Sequence, residues 1–173
     1  MSEITITESF FNSSDFVTPE IIAEIDKQKS LGKKIGFACG VFDIFHAGHV
    51  IMLKECKQHC NFLIVAINTA ENLSSTINPN KKKPIYTYEQ RVMIMQNSKY
   101  VDLVIGYSSE EELLHLLKTL QIDVRFLGDD YRGKPITGAD PKIKIYYTDR
   151  SHGLSTSLYR ERLENLKNHS VPD

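Results

Sequence analysis

A chain of 173 residues with 41% hydrophobic and 25% charged side chains is long enough for one domain with a proper core and short for two. Its formal net charge of −1 provides no broad basic field, so a nucleic-acid partner is not expected. No apolar run approaches the length that spans a bilayer, and the start MSEITITESFF has no basic region ahead of an apolar segment, so a cytoplasmic protein without membrane insertion is expected.

In chain order, residues 1–17 mix polar and aromatic side chains without a period, as a mobile arm or a strap would. Thr18-Pro19-Glu20 supplies an N-cap, a first-turn proline and an acidic residue, and Ile21, Ile22 and Ile25 continue a helix of about three turns that ends near Gly32. Arm and helix make up residues 1–33, ahead of a domain over 34–166. Ile35 to Cys39 is a mostly apolar run of strand length ending at Gly40, and Val50-Ile51-Met52-Leu53 with Cys56 reads as a buried helix face. Cys39, Cys56 and Cys60 are odd in number and lack a Cys-x-x-Cys pair, which points to buried thiols.

Phe62 to Asn68 is continuously apolar up to its last residue, as in a parallel strand covered on both faces. From Thr69 to Tyr86 the chain is polar, includes Lys81-Lys82-Lys83, and is long enough to be a functional loop; we expect a lid ordered by substrate. Thr87 and Gln90 have capping-box spacing ahead of Val92, Ile94 and Met95, with Arg91 in the first turn, where the helix dipole disfavours a cation. Strands are expected over Val101–Ile105, Asp123–Leu127 and Ile143–Tyr147, with a leucine-rich helix opened by Ser109 and Glu112 between the first two. The second of these strands ends in the loop Gly128-Asp129-Asp130-Tyr131-Arg132-Gly133-Lys134. After the third, Ser155 can cap a helix through Leu158, Arg162 and Leu166, and residues 167–173 read as a tail.

This alternation implies an α/β fold: a single Rossmann-like, doubly wound, mostly parallel sheet of about five strands with helices on both faces. Its organising stretch is Gly40-Val41-Phe42-Asp43-Ile44-Phe45-His46-Ala47-Gly48-His49, a glycine-permitted turn where a strand hands over to a helix. Backbone N–H groups and the positive end of the helix dipole converge there, Gly48 allows close approach of an anion, and His46 and His49 add imidazole donors. On their own, two histidines at this spacing also suit a structural or zinc-binding role. Ser155, Thr156 and Ser157 at a second helix start, with Arg150 nearby, form a second anion site.

Gly-Val-Phe-Asp followed by His-x-Gly-His resembles the signature of the nucleotidyltransferase superfamily, closely that of its cytidylyltransferase branch. The segment around Glu89 and Arg91 resembles the superfamily's Glu-x-Arg region. Gly-Asp-Asp with an aromatic residue and Gly-Lys is similar to the base-side loop of glycerol-3-phosphate cytidylyltransferases. Arg150 to Ser157 matches the Arg-x-x-Gly-Ile-Ser-Thr-Ser/Thr motif, with Leu154 for isoleucine. The resemblance covers residues 35–166; Val41 departs from the threonine usual in the bacterial glycerol-phosphate enzymes.

The resemblance implies that an acceptor phosphate attacks the α-phosphate of CTP, with Mg2+ accompanying the nucleotide and pyrophosphate released. His46, His49, Lys83 and Arg150 would carry catalysis. Gly40, Val41, Phe42, Gly48, Arg91, Gly128, Asp129, Asp130, Ser155, Thr156 and Ser157 would bind the nucleotide. Asp43, Lys83 and Arg132 would bind the acceptor, and no resident metal site is assigned. The expected partners are CTP and a small phosphorylated acceptor, glycerol 3-phosphate or similar, in a homodimer. The helix over 19–32 also resembles one preceding the adenylyltransferase part of heptose-phosphate enzymes, so ATP-dependent transfer to a sugar phosphate is the first alternative. A nucleotide-binding module without catalysis is the second.

Overall fold

A computed structural model of the protein describes residues 16–69 and 83–168. The strands are β1 (Ile35–Gly40), β2 (Phe62–Asn68), β3 (Leu103–Tyr107), β4 (Val124–Gly128) and β5 (Lys144–Thr148). They form one five-stranded sheet in the order β3-β2-β1-β4-β5, with every neighbouring pair parallel. The helices are α1 (Pro19–Ser30), α2 (Ala47–Gln58), α3 (Tyr88–Gln96), α4 (Glu110–Thr119) and α5 (Thr156–Asn168).

The apolar runs become strands because both faces of the sheet are covered. Phe62, Ile64 and Ala66 pack with Ile21 and Ile25 of α1 and Leu113, Leu116 and Leu117 of α4. Leu63, Val65 and Ile67 alternate to the other face, against Leu53 and Cys56 of α2 and Val92 and Met95 of α3. The doubly wound reading therefore holds. Residues 1–15 of the expected arm, residues 70–82 of the expected lid and residues 169–173 of the expected tail lie outside the described residues. The helix assigned to residues 1–33 is α1, and it joins the same core as the 34–166 domain.

Local chemistry accounts for the boundaries. The Thr18 hydroxyl accepts from the Ile21 N–H at the start of α1, and Thr87 and Gln90 close a reciprocal box at the start of α3. Ser109 accepts from the Glu112 N–H, but the Glu112 carboxylate takes the Ser108 N–H and hydroxyl and leaves that box half made. At the amino ends of the strands, Asp123 accepts from the Ile35 N–H and Asp102 from the Leu63 N–H, both at 2.7 Å. Because Asp102 is used in this way, β3 begins at Leu103 and not at Val101, whose N–H closes a turn onto Ser98.

The expected buried face of α2 is corrected in part. Leu53 and Cys56 are buried, but Val50 and Ile51 are 40% and 43% exposed. Four consecutive helical positions, each turned about 100° from the last, do not share one face.

From β1 the chain winds outward through β2 to β3, then returns by α4 to place β4 on the other side of β1. The strand order thus reverses between β1 and β4, where open α/β sheets bind ligands beyond the carboxyl ends of their strands. A cavity of about 900 Å³ lies there, bounded by the ends of β1 and β4 and the starts of α2 and α5.

Candidate active site

The turn from β1 into α2 is strained in an informative place. Phe42 (φ 55°) and Ile44 (φ 44°) both adopt left-handed backbone, which costs about 1–3 kcal/mol each for residues with a Cβ. Gly40, expected to permit this turn, lies within β1; a Cβ there would stand 3.4 Å from the Phe42 ring. The surroundings over-determine the strained conformation. Phe42 is buried with its ring 5.5 Å from that of His49, and Asp43 between the two strained residues is tied on several sides.

Asp43 is almost fully buried, and both carboxylate oxygens are engaged. Ile85 and Tyr86 donate backbone N–H groups at 3.0 Å, and Arg160 of α5 donates at 2.6 Å. Burial alone would raise its pKa, but the Tyr86 and Ile85 N–H donors and Arg160 outweigh it and hold Asp43 below the usual carboxylate range. The residue expected at the acceptor thus also fastens α5 and the segment entering α3 to the motif turn. The Thr156 hydroxyl adds a bond to the Asp43 carbonyl at 3.0 Å.

Arg91 is 2% exposed, with its guanidinium bonded to the carbonyls of Tyr86, Val41, Asn68 and Thr69. It bridges the carboxyl ends of β1 and β2. This explains a cation in the unfavourable first turn of a helix by carbonyls that only a guanidinium fork can gather.

The two histidines form a pair with a defined tautomer. His46 Nδ1 accepts from the Gly48 N–H at 3.1 Å, and His49 Nδ1 accepts from the His46 N–H at 3.3 Å. A ring nitrogen that accepts carries no proton, so in each neutral imidazole the hydrogen sits on Nε2. The rings stack 3.9 Å apart, and His46 also stacks on Tyr159 at 4.9 Å. His46 Nε2 is buried, has no hydrogen-bond partner, and belongs to a residue lining the cavity. Burial lowers the pKa of His46, and the neighbouring His152 and Arg150 lower it further. Burial followed by His46 and Arg150 takes His49 down to about 3. Both rings therefore stay neutral at ordinary pH, each a fixed Nε2–H donor. A Cβ on Gly48 would lie 2.9 Å from the His46 ring and 3.0 Å from Leu154, so glycine is required there for close packing of the motif.

The opposite wall comes from β4, β5 and α5. Ser155, Thr156 and Ser157 line the cavity at the start of α5, and the Ser155 hydroxyl caps that helix through the Leu158 N–H at 3.2 Å. Arg150 lines it too, half-exposed and 2.9 Å from Asp130, while its N–H faces Asp129. Asp129, Asp130 and Tyr131 form a single 3-10 turn after Gly128, where a Cβ would collide with Asp130 and Arg150.

The cavity lining thus includes Gly40, Val41, Phe42, Asp43, His46, Gly48, His49, Gly128, Arg150, Ser155, Thr156 and Ser157 among the expected site residues. Three expected cations are not on it. Arg132 lays its guanidinium over Tyr147 at 4.5 Å, Arg91 sits behind the wall, and exposed Lys83 reaches the site through its backbone carbonyl, which accepts from Arg160. Residues that the sequence reading did not single out include Arg160, His152, Arg125, Glu110 and Asn68 on the cavity wall, and Tyr159, which stacks on His46. Arg125 had a signal, a cation inside the apolar run Val124 to Leu127; Arg160 had none, since its partner is 117 positions away.

A family model described as cytidylyltransferase-like matches residues 37–162. The chain is 34% identical over 128 residues to glycerol-3-phosphate cytidylyltransferase of Bacillus subtilis, over 73% of this chain and 95% of that protein. It is 39% identical over 146 residues to the bifunctional protein HldE of Granulibacter bethesdensis, which covers 82% of this chain but only 30% of HldE. Among solved structures, the lipopolysaccharide core biosynthesis protein of Thermoplasma volcanium superposes with a TM-score of 0.52 at 27% identity, over 68% of this chain and 96% of that one.

Proposed function

Since the chain belongs to the cytidylyltransferase-like family, we propose that it transfers CMP from CTP to a small phosphate monoester, giving a CDP-linked product and pyrophosphate. The observation that carries the chemistry is the pair of neutral imidazoles whose Nδ1 atoms are both occupied by backbone N–H groups. Preference for CTP is supported by the similarity to a glycerol-3-phosphate cytidylyltransferase over nearly the whole of that protein.

In the proposed reaction an oxygen of the acceptor phosphate forms a bond to the α-phosphorus, and the bond from that phosphorus to the α,β-bridging oxygen breaks. The electron pair leaves on pyrophosphate. An acceptor already ionised at neutral pH needs no general base, so the protein's task is alignment and charge stabilisation. His46 and His49 donate from Nε2 to the transferring group, where charge accumulates. Arg150 and the start of α5 hold the β and γ phosphates, and Gly128 to Asp130 lie beside the base. Among the described residues there is no group of three or more potential metal ligands. In this reading Mg2+ arrives as part of the Mg·CTP substrate and neutralises its charge.

Transfer of AMP from ATP to a sugar phosphate is the second reading, favoured by the similarity to HldE. The test offers each of the four NTPs with a panel of phosphate monoesters and detects pyrophosphate. CTP should exceed ATP by at least about tenfold in kcat/KM, a difference of about 1.4 kcal/mol. Equal or better use of ATP would establish the second reading, and release with no NTP would defeat both.

A further inference from the structure

His46 and His49 sit in the middle of a column of four rings. Phe45 stacks on His49 with centroids 5.5 Å apart and planes 21° from parallel, His49 on His46 at 3.9 Å and 28°, and His46 on Tyr159 at 4.9 Å and 26°. Phe45, His46 and His49 are near neighbours along the motif turn and the first turn of α2. Tyr159 comes from another element, α5, and stands behind His46 rather than on the cavity wall.

The column settles what the hydrogen bonds leave open. The bond from the Gly48 N–H to His46 Nδ1 sets the tautomer, but the χ2 torsion of a histidine is broad and roughly two-fold, so one acceptor bond does not fix the plane of the ring. Packing has to do so. The Cε1 edge of His46 rests on Gly48, where a Cβ would stand 2.9 Å away, and His49 covers one face. Two rings as near to His46 and as nearly parallel to it as His49 and Tyr159 cannot share a face, so Tyr159 covers the other. The turn of α5 that carries it is itself anchored. The Tyr159 N–H donates to the Ser155 carbonyl at 3.2 Å, the Thr156 hydroxyl reaches the Asp43 carbonyl, and Arg160 reaches the Asp43 carboxylate.

Resting on the nucleotidyltransferase reading, we propose that Tyr159 is a positioning residue for the transfer: its ring holds the second face of His46, fixes the direction of the Nε2–H, and ties that donor to the start of α5. Ser155 and Tyr159 share one helical turn, so the element that holds the β and γ phosphates also sets the imidazole that faces the transferring group. The role belongs to the ring and not to the hydroxyl. Phenylalanine fulfils it, and an aliphatic side chain of similar bulk does not, because it has no flat face to keep the imidazole from turning about χ2.

Kinetics, calorimetry and proton NMR test this together. Tyr159→Leu should lower kcat about ten- to hundredfold, as loss of alignment does. Its CTP affinity by calorimetry should stay within about threefold, and Tyr159→Phe should restore kcat to within about threefold of the unaltered chain. In a His46→Ala background, Tyr159→Leu should cost less than about threefold, since the group it positions is gone. In the ligand-free protein, the ring current of an aromatic neighbour shields protons above its face. The carbon-bound ring protons of His46 should therefore resonate upfield in the unaltered chain and in Tyr159→Phe, and move downfield in Tyr159→Leu. If Tyr159→Leu does not fold, Tyr159→Met takes its place. Normal kcat in the folded aliphatic variant, an equal rate loss with and without His46, a loss of CTP affinity as steep as the loss of rate, or His46 signals that do not distinguish the aliphatic variant from Tyr159→Phe would overturn the proposal. Failure of the unaltered chain to release pyrophosphate from any NTP would instead overturn the nucleotidyltransferase reading, and the His46 signals by themselves then sustain or overturn the clamp.

Discussion

At the scale of single residues, the candidate site places two imidazoles whose Nδ1 atoms each accept a backbone N–H, which puts the hydrogen of the neutral ring on Nε2. His46→Ala and His49→Ala should each lower kcat by about 10²–10³, roughly 3–4 kcal/mol, with much less effect on CTP affinity measured by calorimetry. Because the rings stack and His49 accepts from the backbone of His46, the pair should act as a unit, with the double variant little worse than the poorer single one. The depressed pKa of His49 makes a separate prediction about stability. Folded His49 titrates near 3, against 6.5 for an unperturbed histidine, so between these values the unfolded chain binds the extra proton. This contribution is fully present above pH about 6.5 and is lost progressively as pH falls toward 3. Melting temperature should therefore decline from neutral pH to about pH 5, and His49→Asn, which keeps an acceptor for the His46 N–H, should flatten that decline. Asp43 works in a lower window, since its contribution is lost only below the ordinary carboxylate pKa of 3.8.

At the scale of elements, two side chains join pieces that local preferences do not hold together. Arg91 gathers four carbonyls at the ends of β1 and β2 and the start of α3, so Arg91→Met should cost about 3 kcal/mol in denaturant unfolding. Arg91→Lys should recover little of it, because an ammonium cannot span those carbonyls. Arg160 fastens α5 to Asp43 with both side chains largely buried. Arg160→Met leaves Asp43 with its Ile85 and Tyr86 donors, and should cost about 2–3 kcal/mol. It should also raise KM for the nucleotide, because Ser155 to Ser157 at the start of α5 would lose their fixed place beside the histidines.

At the scale of the whole molecule, the sheet has a structural edge and a chemical edge. Asp102 and Asp123 pin strands at their amino ends, while the cavity occupies the carboxyl ends at the β1–β4 reversal. A ligand bound across that reversal ties both halves of the sheet to α2 and α5. CTP with Mg2+ at about 100 times its Kd should stabilise the fold by about 2.7 kcal/mol, raising Tm by roughly 5–11 °C for a domain of this size. New hydrogen-exchange protection should concentrate at the ends of β1 and β4 and the first turns of α2 and α5. Protection confined to other parts of the sheet would place the nucleotide elsewhere.

The amino-acid sequence alone determined whatever depends on neighbours a few positions apart. The caps at Thr18, Thr87 and Ser155, the apolar run of β2, the strand-to-helix motif at Gly40 to His49 and the family it belongs to were all legible, because their cause is local periodicity, cap chemistry or motif order. Only the tertiary structure decided which partners the buried polar groups find. Asp43 meets Arg160 across 117 positions and Arg91 meets the Val41 carbonyl across 50. Neither distance has a periodic signature: the first spans the reversal of strand order at β1, and the second follows from the pairing of β1 with β2. The same sheet brings Asn68, Glu110 and Arg125 from separate segments to one cavity. Along the chain each is an isolated polar residue, and only the fold makes them neighbours on one cavity wall.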